Sequence, residues 1–177
     1  YGGDWQGMWV IRSVDNGATW GAPIRVQTTC PHGPVQLKDG RLLAVGQRPH
    51  CSHGQPADWN GVPAQSPYTV AIEESRDDGL SWAVISTFPV PGDAQMLSYD
   101  EPHVVELASG RLLVLFRDCN GENYIRQSES ADGGLTWSAP VQTPMRGLPP
   151  HVIVLKNGWL LTTYAKRWAP YGIYACV

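Results

Sequence analysis

An eight-residue pattern that occurs three times limits what this chain can fold into more than any other feature. Ser13-Val-Asp15-Asn-Gly17-Ala-Thr-Trp20, Ser75-Arg-Asp77-Asp-Gly79-Leu-Ser-Trp82 and Ser130-Ala-Asp132-Gly-Gly134-Leu-Thr-Trp137 all read S-x-D-x-G-x-x-W. These are the residues of a tight turn. Ser and Asp side chains bond to nearby backbone, Gly accepts positive φ, and a Trp ring can pack on a neighbouring sheet. The role expected of the boxed residues is therefore structural.

A run suited to a β-strand precedes each box: 7–12, 68–72 and 123–126, rich in β-branched and aromatic residues. A second repeat lies between the boxes. Val35 to Val45, Val104 to Val114 and Val152 to Leu161 each read as strand, turn ending in Gly (Gly40, Gly110, Gly158), strand. Hairpins alternating with boxed turns give four strands per repeat, the composition of a propeller blade. Strand parity puts boxes and hairpin turns on one face of such a propeller, and the hairpin mouths on the other.

The boxes resemble the Asp-box, or BNR repeat, of the sialidase (neuraminidase) superfamily, and the resemblance extends over nearly the whole chain. It implies an all-β fold, a β-propeller of four-stranded antiparallel blades, with about three blades of a ring of about six represented. The expected organisation is a single partial propeller domain over 1–177, with blade ends near 1–27, 28–92, 93–143 and 144–177. The spacing predicts a fourth box just past Val177 and an incomplete first blade.

The hairpin from Asp100 to Arg117 carries the chemistry of greatest interest. If its centre is Ser109, Glu101 faces Arg117 at the open mouth. From the residues alone this is either a surface ion pair or half of a site. The resemblance implies the second: in sialidases an acidic residue begins this hairpin and activates a tyrosine nucleophile, and an arginine ends it and grips the sugar carboxylate. Glu101 and Arg117 match those positions in type and spacing. The first arginine of the family's cluster, the aspartic general acid and the tyrosine are expected in other parts of the ring.

Other residues are candidate substrate contacts. His103 and His151 each stand seven residues before a hairpin glycine, which predicts innermost strand starts near the central channel; structural hydrogen bonding is the alternative reading. The segment 48–67 is long for a connection and should cover the mouth, with Arg48, Asp58 and Trp59 as sugar contacts beside His50 and His53, or as a polar lid packed by its own Trp. Arg167 is a candidate third arginine of the cluster that lies outside the aligned hairpin, and the resemblance implies no role for it.

The expected function is a sialidase-like glycoside hydrolase acting on a terminal, acidic sugar of a glycan. An enzyme for another uronic or neutral sugar is compatible, and a non-catalytic carbohydrate- or protein-binding propeller is the alternative. A net charge of -3 with 42% hydrophobic residues suits a globular domain and gives no basic balance for nucleic acid or anionic membrane. No cofactor or metal is expected, since Cys30, Cys51, Cys119 and Cys176 lack zinc-site spacing and read best as buried free thiols. Self-association through exposed blade edges is the remaining partner expectation. Glycan degradation would favour a secreted or periplasmic location.

Overall fold

The computed structural model describes residues 8–29, 32–47, 70–88, 99–118 and 123–177. Among these the chain is entirely β, in antiparallel sheets. Strands β1 (Trp9–Val10) and β2 (Ile24–Arg25) form one pair. A four-stranded sheet follows: β3 (Val35–Gln36), β4 (Leu42–Gln47), β5 (Val70–Ser75) and β6 (Ala83–Thr87). A second contains β7 (Tyr99–Glu106), β8 (Leu112–Asp118), β9 (Tyr124–Ser130) and β10 (Val141–Arg146). The last holds β11 (Leu148–Val154), β12 (Leu160–Lys166) and β13 (Gly172–Cys176). Up-and-down sheets stacked face to face are the blades of a β-propeller.

The apolar run Leu112 to Phe116 shows why the blades stack. Alternation sends Leu112, Val114 and Phe116 to one side of the sheet, where they meet Leu43, Val45 and Ile72. Leu113 and Leu115 go to the other side, against Val152 and Tyr164. A strand buried on both faces must be apolar without interruption. Phe116, fully buried between Phe88 and Tyr99, contributes about 2–3 kcal/mol by its burial.

All three hairpin turns close in the same way. Gly40, Gly110 and Gly158 each donate to the carbonyl three residues earlier, Leu37, Leu107 and Leu155, with φ of 83° to 90°. Only glycine adopts that φ without strain. Hairpin turns and boxes share a face, as parity requires: Arg41, beside the first of these turns, donates to the Gly133 carbonyl in the next blade's box.

The boxes are closed hydrogen-bond knots. In the third, Ser130 Oγ accepts the Gly134 N–H at 2.9 Å and donates to Asp132 at 2.8 Å, and Asp132 accepts the Thr136 N–H and hydroxyl at 2.9 and 2.6 Å. Ser75, Asp77 and Ser81 repeat this, as do Ser13, Asp15 and Thr19. The pattern is thus S-x-D-x-G-x-[ST]-W, with a hydroxyl that the sequence comparison left as an open position. Three donors each to Asp15 and Asp77, and four to Asp132, hold these carboxylates down at about 2, the Thr or Ser hydroxyl being the largest influence. The tryptophans differ: Trp137 is buried and packs on Phe88, but Trp20 is 60% exposed and does not pack as expected.

Blades are also tied by polar contacts. Glu73, wholly buried in β5, accepts the Gln27 and Thr28 N–H groups and the Thr28 hydroxyl at 2.7–2.9 Å. Cys176 is exposed on β13, where a buried thiol was expected; β13 has no further strand beside it among the described residues. Cys30, Cys51 and Cys119 lie outside the described residues.

Candidate functional site

Glu101 and Arg117 come together at the mouth of the β7–β8 hairpin, with Arg117 Nη1 donating to Glu101 Oε2 at 3.2 Å. The backbone register differs from the symmetric expectation. Cα partners run Tyr99 with Asp118 and Asp100 with Arg117, then slip by one so that His103 opposes Leu115. Glu101 is the extra residue of a β-bulge, at φ 48°. Pro102 supplies the reason, for it has no N–H to give to the ladder. The β11–β12 hairpin slips at the equivalent place, between Leu148 and His151, across Pro149 and Pro150.

Both side chains are three-quarters covered, at 20% and 26% exposure. Arg117 Nε–H is buried and has no acceptor among the described residues. A buried N–H without a partner is uncommon and raises the question of what it is for. Beside the pair, Asp118 and Arg126 form a second ion pair at 2.9 Å. Tyr99 lies two residues from Glu101, but its ring is in the core against Phe116, and burial pushes its hydroxyl pKa up. It is therefore no nucleophile. Tyr164, pushed up to about 12 by its bond with Cys176, is a poor one too.

His103 and His151 meet, with ring centroids 4.4 Å apart. They are joined by His32, which the sequence reading missed, at 4.8 Å from His103 and 5.7 Å from His151. His103 lies on β7 and His151 on β11, while His32 stands in the segment just ahead of β3. His32 was hidden because it stands eight residues before its hairpin glycine, where the others stand seven. His103 Nδ1 accepts the Val152 N–H at 2.9 Å, so its proton at neutral pH sits on Nε2. Burial, then the neighbouring imidazoles, push His103 down to about 4; burial and His151 lower His32. His103 is thus neutral at neutral pH with its proton on Nε2, while His32 Nε2 is buried with no partner among the described residues.

Arg167 is exposed just beyond β12 and shares no hydrogen bond or ion pair with Glu101 or Arg117. Arg48, Asp58 and Trp59, with His50 and His53, lie outside the described residues. No group of three metal-ligating side chains is placed to hold an ion among the described residues. A cleft of about 530 Å³ opens between β1 and β3–β4, walled by Met8, Trp9, Val10 and Val26 with His32 on its wall. It reaches neither Glu101 nor Arg117.

The BNR repeat-like domain family matches residues 2–166. The chain belongs to this family. The xyloglucanase Xgh74A of Acetivibrio thermocellus is 24% identical over 186 residues, covering 92% of this chain but only 20% of that enzyme. This chain therefore spans about a fifth of that relative's length. A protein of unknown function from Dyadobacter fermentans superposes with a TM-score of 0.78 at 23% identity, over 96% of this chain and 47% of that one. The Hadza microbial sialidase Hz136 superposes at 0.59 and 20% identity, over 90% of this chain and 33% of the sialidase. The family match makes this a BNR-repeat chain, and the structural likenesses show that it shares its fold with that sialidase.

Proposed function

We propose that this BNR-repeat chain belongs to a glycoside hydrolase that removes a terminal, acidic sugar from a glycan. The observation that carries the reading is the Glu101–Arg117 pair, only partly covered, at the hairpin mouth. A guanidinium recognises a carboxylate through parallel N–H donors, and Glu101 engages only Nη1 of Arg117, whose side chain is 26% exposed. Glu101, held by one oxygen, acts as base for a hydroxyl nucleophile supplied by another part of the ring. Sialidases with a tyrosine nucleophile work without the usual carboxylate pair of glycosidases.

The other roles follow from position. His103 and His151 contact sugar hydroxyls from the channel side, and His32 belongs with them because the three rings form one cluster. Arg48, Asp58, Trp59 and Arg167 are proposed as rim contacts. His103, kept uncharged by burial, supports a second reading, in which the sugar is neutral, as in the substrate named for the xyloglucanase relative.

The test is turnover by the complete protein of aryl glycosides carrying one acidic and one neutral sugar. Glu101→Gln should abolish hydrolysis at an unchanged Tm, and Arg117→Lys should depress hydrolysis of the acidic substrate selectively. Full turnover by Glu101→Gln would leave the non-catalytic binding propeller as the better reading. A parent protein that cleaves only the neutral glycoside would move the assignment to the second sugar class.

A further inference from the structure

Four non-glycine residues have positive φ among the described residues: Asn16, Asp78, Asn123 and Glu101. Asn and Asp tolerate the left-handed region because their short side chains bond locally; Glu has no such excuse. The bulge itself does not demand it, since the equivalent position in β11 is Pro149. Strained backbone of this kind persists only where its surroundings over-determine it, and it gathers at functional sites.

The surroundings of Glu101 are specific. Asp100 Oδ1 accepts the Glu101 N–H at 2.8 Å and, at 2.5 Å, the Nε2–H of Gln47. Gln47 Nε2 also donates to the Tyr99 carbonyl at 3.3 Å. Gln47 ends β4 in the neighbouring blade, and its own backbone is fixed on both sides, by pairing with Val70 and by two hydrogen bonds with Thr29. The bulge is thus clamped from an adjacent sheet, through one carboxylate oxygen, at the residue next to the proposed base.

We propose that Asp100 and Gln47 are positioning residues, holding the backbone of Glu101 in the left-handed bulge that aims its carboxylate at Arg117. The inference rests on the reading of Glu101 as the reacting base. In a regular ladder Asp100 stays opposite Arg117 and Glu101 takes the next pleat, on the other face of the sheet. The bulge keeps Glu101 on the side that Arg117 occupies, and the Gln47–Asp100 contact keeps the bulge.

The test uses Gln47→Ala and Asp100→Ala in the complete protein, with Asp100→Asn as the variant that retains the accepting oxygen. Crystal structures of the two alanine variants should show Glu101 out of the left-handed region and its carboxylate beyond about 4 Å from Arg117. With the acidic or the neutral aryl glycoside, whichever the parent cleaves, kcat should fall about 10²-fold at nearly constant KM. Asp100→Asn should restore most of that loss. Glu101 φ and its ion pair unchanged in Gln47→Ala would overturn the proposal, and so would unaltered kcat in both alanine variants while Glu101→Gln is inactive. An active Glu101→Gln sinks the assignment of Glu101 itself, an outcome the structural readout distinguishes from a failed clamp. If Asp100→Ala does not fold, the Gln47→Ala structure decides.

Discussion

Glu101 Oε2 lies 3.2 Å from Arg117 Nη1, yet the residue whose backbone stands opposite Arg117 is Asp100. The side chains meet because the strand carries one extra residue at φ 48°, a conformation that is costly for any residue with a Cβ. Glu101→Gly should therefore be more stable than Glu101→Ala by about 1 kcal/mol, read by chemical denaturation. Equal stabilities would mean that the bulge is unstrained.

The boxes make a prediction at low pH. Asp15, Asp77 and Asp132 are held at about 2, below the ordinary 3.8. A depressed carboxylate pKa contributes stability that is complete above about pH 4 and is lost as pH falls towards 2. Carboxyl NMR titration should find all three near 2. Thr136→Val, which removes the largest influence on Asp132, should return that group alone towards 3.8.

His103 acts in a different window. Its folded pKa of about 4 lies below the ordinary 6.5, so the unfolded chain takes up a proton that the folded chain refuses. Its contribution is complete above about pH 6.5 and declines as pH falls to about 4. Protonation also removes the acceptor of the Val152 N–H, which joins two blades. Thermal melts should show a fall in Tm between these limits, shallower in His103→Gln. An equally steep fall in the variant would assign the effect to other groups.

Glu73 is the buried polar residue whose removal should cost most among the blade ties. Glu73→Ala strands two backbone N–H groups and a hydroxyl at 27 and 28, for an expected loss of about 3 kcal/mol. A loss below about 1 kcal/mol would mean that water enters and satisfies those donors.

The bulge was partly legible, in one residue. Pro102 cannot donate to a ladder, so it marks either a bulge or an outward-facing place on an edge strand, and β7 is the edge strand of its sheet. The symmetric pairing of Glu101 with Arg117 ignored this, and the error was one residue of register. The side chains meet all the same, because the bulge returns Glu101 to the side that Arg117 occupies. His32 was less accessible. Its relation to His103 and His151 depends on an offset of one residue in a short segment ahead of β3, and no local pattern marks it. The fate of the box tryptophans was not legible either. Trp20, Trp82 and Trp137 occupy identical positions in the repeat, yet one is exposed and another lies in the core.

The sequence by itself determined the boxed turns, the glycine-closed hairpins and the four-strand rhythm of the sheets. Each depends on hydrogen bonds within a few residues, between groups whose spacing is read directly from the chain. Tertiary structure alone decided which imidazoles gather, which side chain bonds Asp100 beside Glu101 and which donor of Arg117 has no partner among the described residues. Those outcomes need residues tens of positions apart to meet across stacked sheets, and the stacking is set by apolar surface that carries no record of which polar groups it will bring together.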